Sequence, residues 1–315
     1  MATRDDLERL DDEELDLDDA ELLEDELPED TDLNDELSDE EVSLDLADES
    51  EPELPKAEKD QTVKTSLPGS VIGSGTKLNV DVAVVIDVTG SMEDMINAIK
   101  RDVTNLRALV YDKLNENLTK KRPDRTLNKM RVRVIAYRDY NYDWEAALQP
   151  QHGPMLMSDF FDLDDEDDCA ALQRFVDQLE ATGGVDAPES ALEALHYAIN
   201  SDWDREAGIM HRNVIIHLTD APGLPLEDER NKTNPHYPTD PDMPKSLVEL
   251  QAEYSDEDKI SQRAQRLLVF APQDSYPWNE VKEWNAAVMN DVLPDSGMEG
   301  IDMEPIIAAL TGSLS

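Results

Sequence analysis

Four apolar runs mark out the chain beyond residue 78: Val80–Asp87, Met130–Tyr137, Asn213–Thr219 and Leu267–Phe270. Their lengths and their content of Val, Ile and Leu predict buried strands, and Met155–Leu163 predicts a shorter edge strand. Between these runs the apolar period changes to that of a helix. Met95, Ile96, Ile99, Val103, Leu106, Leu109 and Val110 predict one long helix over 92–117. Helices are also predicted over 170–179 and over 188–203, the latter with Leu192, Leu195 and Ile199 inward. Three more are expected over 245–264, 277–292 and 303–313, with Trp278, Val281, Trp284 and Val288 on the core face of the second. Strands alternating with helices predict an α/β fold: a doubly wound, mostly parallel sheet with helices on both faces, filling one domain over 79–315. In such sheets ligands bind outside the carboxyl ends of the strands.

The first 60 residues follow neither period. Acids alternate with isolated leucines, no aromatic residue occurs, and 29 Asp and Glu stand against 4 Lys and Arg. Such a segment has too little apolar surface to offset the entropy of ordering, which predicts a disordered acidic tail over 1–60. Residues 61–78, with Pro68, Gly69, Gly73 and Gly75, read as a linker. The tail is either a solubilising extension or an acidic-hydrophobic segment that folds on a basic partner or clasps its own domain.

The formal charge of the whole chain is −46, and the part beyond residue 60 is acidic as well. Both parts repel nucleic acid and anionic membrane surfaces, so neither is an expected partner. Cys169 is the single cysteine, which precludes an intrachain disulfide and favours a reducing compartment. The start, Met-Ala-Thr-Arg-Asp-Asp-Leu-Glu, has no apolar core of a signal segment, and no run approaches the ~20 apolar residues of a membrane span. A cytoplasmic protein is expected.

Candidate chemistry sits at the strand ends. The first strand closes in Asp87, followed by Thr89, Gly90 and Ser91. In an extended segment, alternate residues point the same way, so this spacing gathers three oxygen groups. Hard cations such as Mg²⁺ take one or two carboxylates with neutral oxygens and water. Alternatively Thr89 and Ser91 cap the following helix, with Ser91 as the N-cap. The third strand closes in Asp220, and parallel strands would bring both carboxylates to one rim. Between them, Thr182-Gly183-Gly184-Val185-Asp186-Ala187-Pro188-Glu189 offers a glycine turn that can deliver one more oxygen ligand.

With these motifs, residues 78–315 resemble the von Willebrand factor type A (VWA) family. The Gly-Gly-x-Asp-x-Pro-Glu and Asp-Ala-Pro stretches and Tyr137-Arg138-Asp139-Tyr140 are similar to its intracellular branch found beside α-kinases. The resemblance implies a metal-ion-dependent adhesion site with Asp87, Thr89 and Ser91 as its Asp-x-Ser-x-Ser loop and Asp220 as its last ligand. The family's middle ligand is commonly a threonine, but the aligned residue is Val185, which cannot ligate. Either Asp186 takes that place or water does, and Thr182 is a weaker candidate. The implied cofactor is Mg²⁺, or Mn²⁺ or Ca²⁺. The implied partner is a protein whose acidic side chain completes the metal shell. A third carboxylate from Asp186 would hold the ion more tightly and weaken its attraction for that partner.

The expected function is therefore that of an intracellular scaffold or regulator that binds protein and is not an enzyme. A haloacid-dehalogenase-type phosphotransfer loop needs a second Asp where Thr89 stands, and Ser91 lacks a His base or an elbow motif. The Gly-Ser-Gly-Thr-Lys stretch at 73–77 fails the spacing of a phosphate loop. Asp164–Asp168 fits a helix start better than a calcium loop, and His196 and His217 read as structural. Tail-driven binding of basic proteins, or mimicry of nucleic acid, is the alternative function.

Overall fold

The computed structural model describes residues 76–121, 125–140, 153–184, 188–296, 298 and 302–314. The acidic tail, nearly all of the expected linker and the Val185-Asp186-Ala187 segment lie outside the described residues.

The central strand β1 (Thr76–Asp87) is buried from Leu78 to its end, so neither face is exposed and it is covered on both sides. It begins within the segment expected to be linker. On one side β1 pairs in parallel with β2 (Arg125–Tyr137), from Thr76 opposite Arg125 to Asp87 opposite Tyr137. On the other it pairs in parallel with β5 (Met210–Leu218), and the sheet continues through β6 (Gln265–Ala271) to β7 (Ala287–Asp291). Two short strands, β3 (Met155–Met157) and β4 (Phe161–Asp162), run antiparallel to β2. The order β3-β2-β1-β5-β6-β7, with β4 also on β2, is that of a mostly parallel α/β sheet. The chain leaves β1 toward β2 and later returns to its other flank as β5. The crevice between the carboxyl ends of β1 and β5 is therefore the topological switch point.

Alternate side chains of each strand feed two separate cores. Val80, Val82, Val84 and Ile86 pack with α1 (Glu93–Asp102), α2 (Leu106–Lys121), α3 (Glu166–Asp177) and α8 (Met303–Leu314). Ala83, Val85, Ile135, Ile215 and Val269 pack with α4 (Ala191–Ile199), α6 (Leu247–Tyr254) and α7 (Trp278–Val281). One further short helix, α5 (Glu229–Lys232), interrupts the loop after β5. The expected α/β fold with helices on both faces is the one observed.

Several elements depart from the sequence pattern, each for a local reason. The helix expected over 92–117 is divided by a tight 3₁₀ turn at Val103–Asn105. The edge strand expected over 155–163 is two pieces, because the Ser158 hydroxyl accepts the Val134 N–H at 2.9 Å and replaces a rung of the ladder. The helix expected over 245–264 stops at Tyr254, and the Asp256 carboxylate then accepts the Asp258 N–H in a side-chain turn. The helix expected over 277–292 is a correction of type. Only Trp278–Val281 is helical, Ala286 enters the left-handed region at φ 58°, and Ala287–Asp291 is a strand on β6. Trp278, Val281 and Trp284 are buried, whereas Val288, expected beside them, is half exposed.

Candidate metal centre

The register that builds the sheet also builds the site. Ile86 lies opposite Leu218, which sets Asp87 level with Thr219, and Asp87 lies opposite Tyr137. By the alternation of the strands, Asp87, Tyr137, His217 and Thr219 continue the face formed below them by Val85, Ile135 and Ile215. An apolar face thus ends in a polar layer. All four side chains in that layer are buried.

Asp87 is fully buried, yet both its oxygens accept hydrogen bonds. Oδ1 accepts from the Thr89 hydroxyl at 2.7 Å and the Thr89 N–H at 2.9 Å, and Oδ2 accepts from the Thr219 hydroxyl at 2.8 Å. The Ser91 hydroxyl donates to Asp220 Oδ1 at 3.0 Å, crossing from the loop after β1 to the end of β5. The two hydroxyls therefore serve carboxylates rather than helix ends. Thr89, which precedes the 3₁₀ turn Gly90–Met92, makes no capping bond, and neither does Met92, the residue that opens α1. The expectation of Ser91 as an N-cap is corrected accordingly.

Burial pushes the Asp87 carboxyl up to about 6, against the hydrogen bonds from Thr89 and Thr219, and the nearby charge of Asp220 pushes the same way. The floor is buried and uncharged. The Tyr137 hydroxyl meets His217 Nε2 at 2.8 Å, burial lowers the imidazole to about 3 and so keeps it neutral, and burial holds the Tyr137 phenol well above its usual value. Trp278 packs edge-on against His217 and donates its indole N–H to the Ala221 carbonyl at 3.0 Å.

The glycine loop comes from the α3 side. Thr182 N–H donates to the Val88 carbonyl at 3.1 Å, and Gly90 N–H donates to the Gly183 carbonyl at 3.2 Å. Gly184 sits at φ +71°, and a Cβ there would lie 2.5 Å from Thr89 Cβ, so only glycine allows this approach. Gly90 needs no left-handed turn. A Cβ there would meet the Gly183 carbonyl at 3.3 Å, so its lack of a side chain serves close packing.

Of the five residues expected to ligate, Asp87, Thr89, Ser91 and Asp220 are brought together, and Asp186 lies outside the described residues. Thr182, the weaker candidate, has a buried hydroxyl oxygen with no hydrogen-bond partner among the described residues. The donor set is all oxygen, as Mg²⁺, Mn²⁺ and Ca²⁺ require. The hydroxyls of Thr89 and Ser91 give their protons to carboxylates and so keep lone pairs for a cation. The four residues therefore fit such an ion. Among the described residues, no group of three or more His, Cys, Asp or Glu is gathered to hold one, so any ion here would depend on the hydroxyls.

Three neighbours were given no role of their own by sequence. Thr219 steadies Asp87, but its alignment becomes visible only through the register of β5. Glu189 is buried at the same rim, tied in by its N–H to the Pro222 carbonyl at 3.0 Å, and its charge acts on Tyr137 as those of Asp87 and Asp220 do. In sequence it closes the Gly-Gly-x-Asp-x-Pro-Glu stretch, with no role assigned to it. Glu193 is fully buried in α4, accepts the Tyr237 hydroxyl at 2.9 Å, and is raised to about 7, chiefly by burial.

The fold and rim define a doubly wound α/β protein with an oxygen-rich crevice at its switch point. No family model matches the chain, and no curated protein matches it. Among solved structures it is similar to the pilus adhesin SpaC from Lactobacillus rhamnosus GG, at 12% identity and a TM-score of 0.40 over 75% of this chain. It is also similar to proximal thread matrix protein 1 from the mussel byssus, at 13% identity and a TM-score of 0.37 over 74% of this chain. The match spans 30% of the adhesin and 46% of the thread protein. Among the described residues, no helix is long and apolar enough to cross a membrane.

Proposed function

We propose that this chain is a metal-ion-dependent protein-binding module of the VWA type, acting as a cytoplasmic scaffold or regulator without catalysis. The observation that carries this reading is the arrangement of Thr89 and Ser91, whose hydroxyls turn to carboxylates: Thr89 to Asp87 within its own loop, and Ser91 to Asp220 across the crevice between β1 and β5. Asp87, Thr89, Ser91 and Asp220 would hold Mg²⁺, Mn²⁺ or Ca²⁺, with Asp186 or Thr182 as a further oxygen. When bound, the ion supplies a positive centre that attracts a carboxylate of the partner protein. Gly90, Ser91, Gly183 and Gly184 are exposed, so an approaching acidic side chain meets little bulk.

The test is thermal unfolding with EDTA and with Mg²⁺, on wild type and Asp87→Ala, followed by capture of partners under the same conditions. A ligand bound only by the folded state stabilises it by RT ln(1 + L/Kd), where L is the free ligand concentration, and so raises the midpoint as that concentration rises above Kd. Mg²⁺ should stabilise wild type alone, and partner capture should need both Mg²⁺ and Asp87. Equal midpoints with EDTA and with saturating Mg²⁺ would sink the reading.

The 29 acids among the first 60 residues favour a second reading, in which the tail binds basic proteins. Deleting residues 1–60 separates the two. A partner lost on deletion and sensitive to salt belongs to the tail, and one lost with EDTA belongs to the crevice.

A further inference from the structure

We propose that Arg138 is a positioning residue for the crevice, holding the glycine loop against the Asp87-x-Thr89-x-Ser91 segment through backbone carbonyls. The inference rests on the metal-binding reading above. Arg138 follows Tyr137 at the end of β2 and is fully buried. Its guanidinium Nε donates to the Thr182 carbonyl at 3.0 Å, Nη1 to the Gly153 carbonyl at 3.0 Å, and Nη2 to the Glu180 carbonyl. Its own N–H donates to the Pro154 carbonyl at 2.9 Å.

These contacts form one mechanical unit with the metal segment. Arg138 grips the Glu180 and Thr182 carbonyls, and Thr182 and Gly183 in turn bond Val88 and Gly90. Gly184 then closes on the Thr89 side chain. Val88 N–H donates back to the Tyr137 carbonyl at 3.0 Å, which completes the circuit through β2. Thr89, whose hydroxyl faces Asp87, is thus fixed from two sides.

A planar guanidinium offers five N–H donors in a rigid fork and can reach carbonyls of two separate segments at once; an ammonium is a point donor on a flexible stem. A buried charge is weak grounds for stability as such, and fixing one arrangement is the better-attested use of buried polar groups. The opposite half of β2 provides the control. Arg131 bonds the Asp81 carboxylate at 2.8 and 2.6 Å, far along the strand from the crevice.

The experiment compares wild type, Arg138→Lys, Arg138→Gln and Arg131→Met, each confirmed folded by near-UV circular dichroism. Two quantities are read: the Kd for Mg²⁺ by calorimetric titration, and amide hydrogen exchange at Thr182 and Gly90. Arg138→Lys should weaken Mg²⁺ binding at least tenfold and speed exchange at both amides, while Arg131→Met should leave both quantities within threefold of wild type. A folded Arg138→Lys that keeps the wild-type Kd overturns the proposal, as does failure of both Arg138 variants to fold. Absence of Mg²⁺ binding in wild type refutes the metal reading instead. The exchange rates then decide the positioning role, and unchanged rates in Arg138→Lys overturn it.

Discussion

Glu193 makes the stability of this domain depend on pH in a direction that can be worked out from its setting. Its carboxyl is fully buried in α4, Oε1 accepts the Tyr237 hydroxyl, and Oε2 has no hydrogen-bond partner among the described residues. Burial, with a smaller push from the charge of Asp139, raises it from 4.5 to about 7. The folded protein therefore binds this proton more tightly than the unfolded chain does, so stability is full below pH 4.5 and falls as pH rises through 7. Linkage with these two values gives a loss on the order of 2–3 kcal/mol between pH 5 and pH 8. Glu193→Gln keeps an acceptor for Tyr237 and removes the titration. The assay is urea unfolding of both proteins in EDTA at pH 5 and pH 8, where other titrating groups cancel in the difference. The advantage of the glutamine variant should grow by roughly 2–3 kcal/mol from pH 5 to pH 8. A difference that stays constant, or shrinks, refutes the reasoning.

The candidate centre yields two more expectations. Asp87→Asn removes a charge that its burial disfavours, so in EDTA at pH 8 the variant should be more stable than wild type by about 1–3 kcal/mol, while losing any stabilisation by Mg²⁺. Urea unfolding with and without Mg²⁺ measures both, and a variant still stabilised by Mg²⁺ counts against Asp87 as a ligand. Asp186→Thr should weaken Mg²⁺ affinity and strengthen Mg²⁺-dependent partner capture, because one carboxylate fewer leaves more charge on the ion. Equal Mg²⁺ affinity by titration would remove Asp186 from the ligand set.

What the sequence revealed depends on how far each signal is local. The four buried strands are legible because burial on both faces leaves unbroken apolar runs, as in Val82–Ile86. Strand β7 is not, because it lies at the sheet edge, mixes Ala-Val-Met with Asn-Asp, and follows three buried residues, Trp278, Val281 and Trp284, that happen to keep helical spacing. At the centre, Asp87 and Asp220 are legible as acids closing apolar runs. Thr219, Arg138 and Glu193 are not, because their roles arise from strand register and from loops that meet only in the fold. Ser91 shows the limit of a local motif. The pattern fits an N-cap equally well, and only the position of Asp220 across the crevice gives its hydroxyl another partner.

The same hydrogen bonds could serve merely to seal two strand ends, and the choice of residues argues against that role. A seal needs donors and acceptors that match, which asparagine and serine provide without charge. Asp87 instead places a carboxyl where burial penalises its ionised form, with the acid Asp220 close enough to raise it further. The three donors to Asp87 reduce that penalty but leave the carboxyl at about 6, so the arrangement is under-compensated in the absence of added positive charge. Under-compensation is a defect in a structural seal and an asset in an ion site, because the electrostatic deficit becomes affinity for a cation. The hydroxyls point to the same conclusion: each donates to a carboxylate and so turns its lone pairs elsewhere. Two acids buried together at the switch point, with Ser91 open to solvent beside them, are the arrangement that the proposed ion site requires.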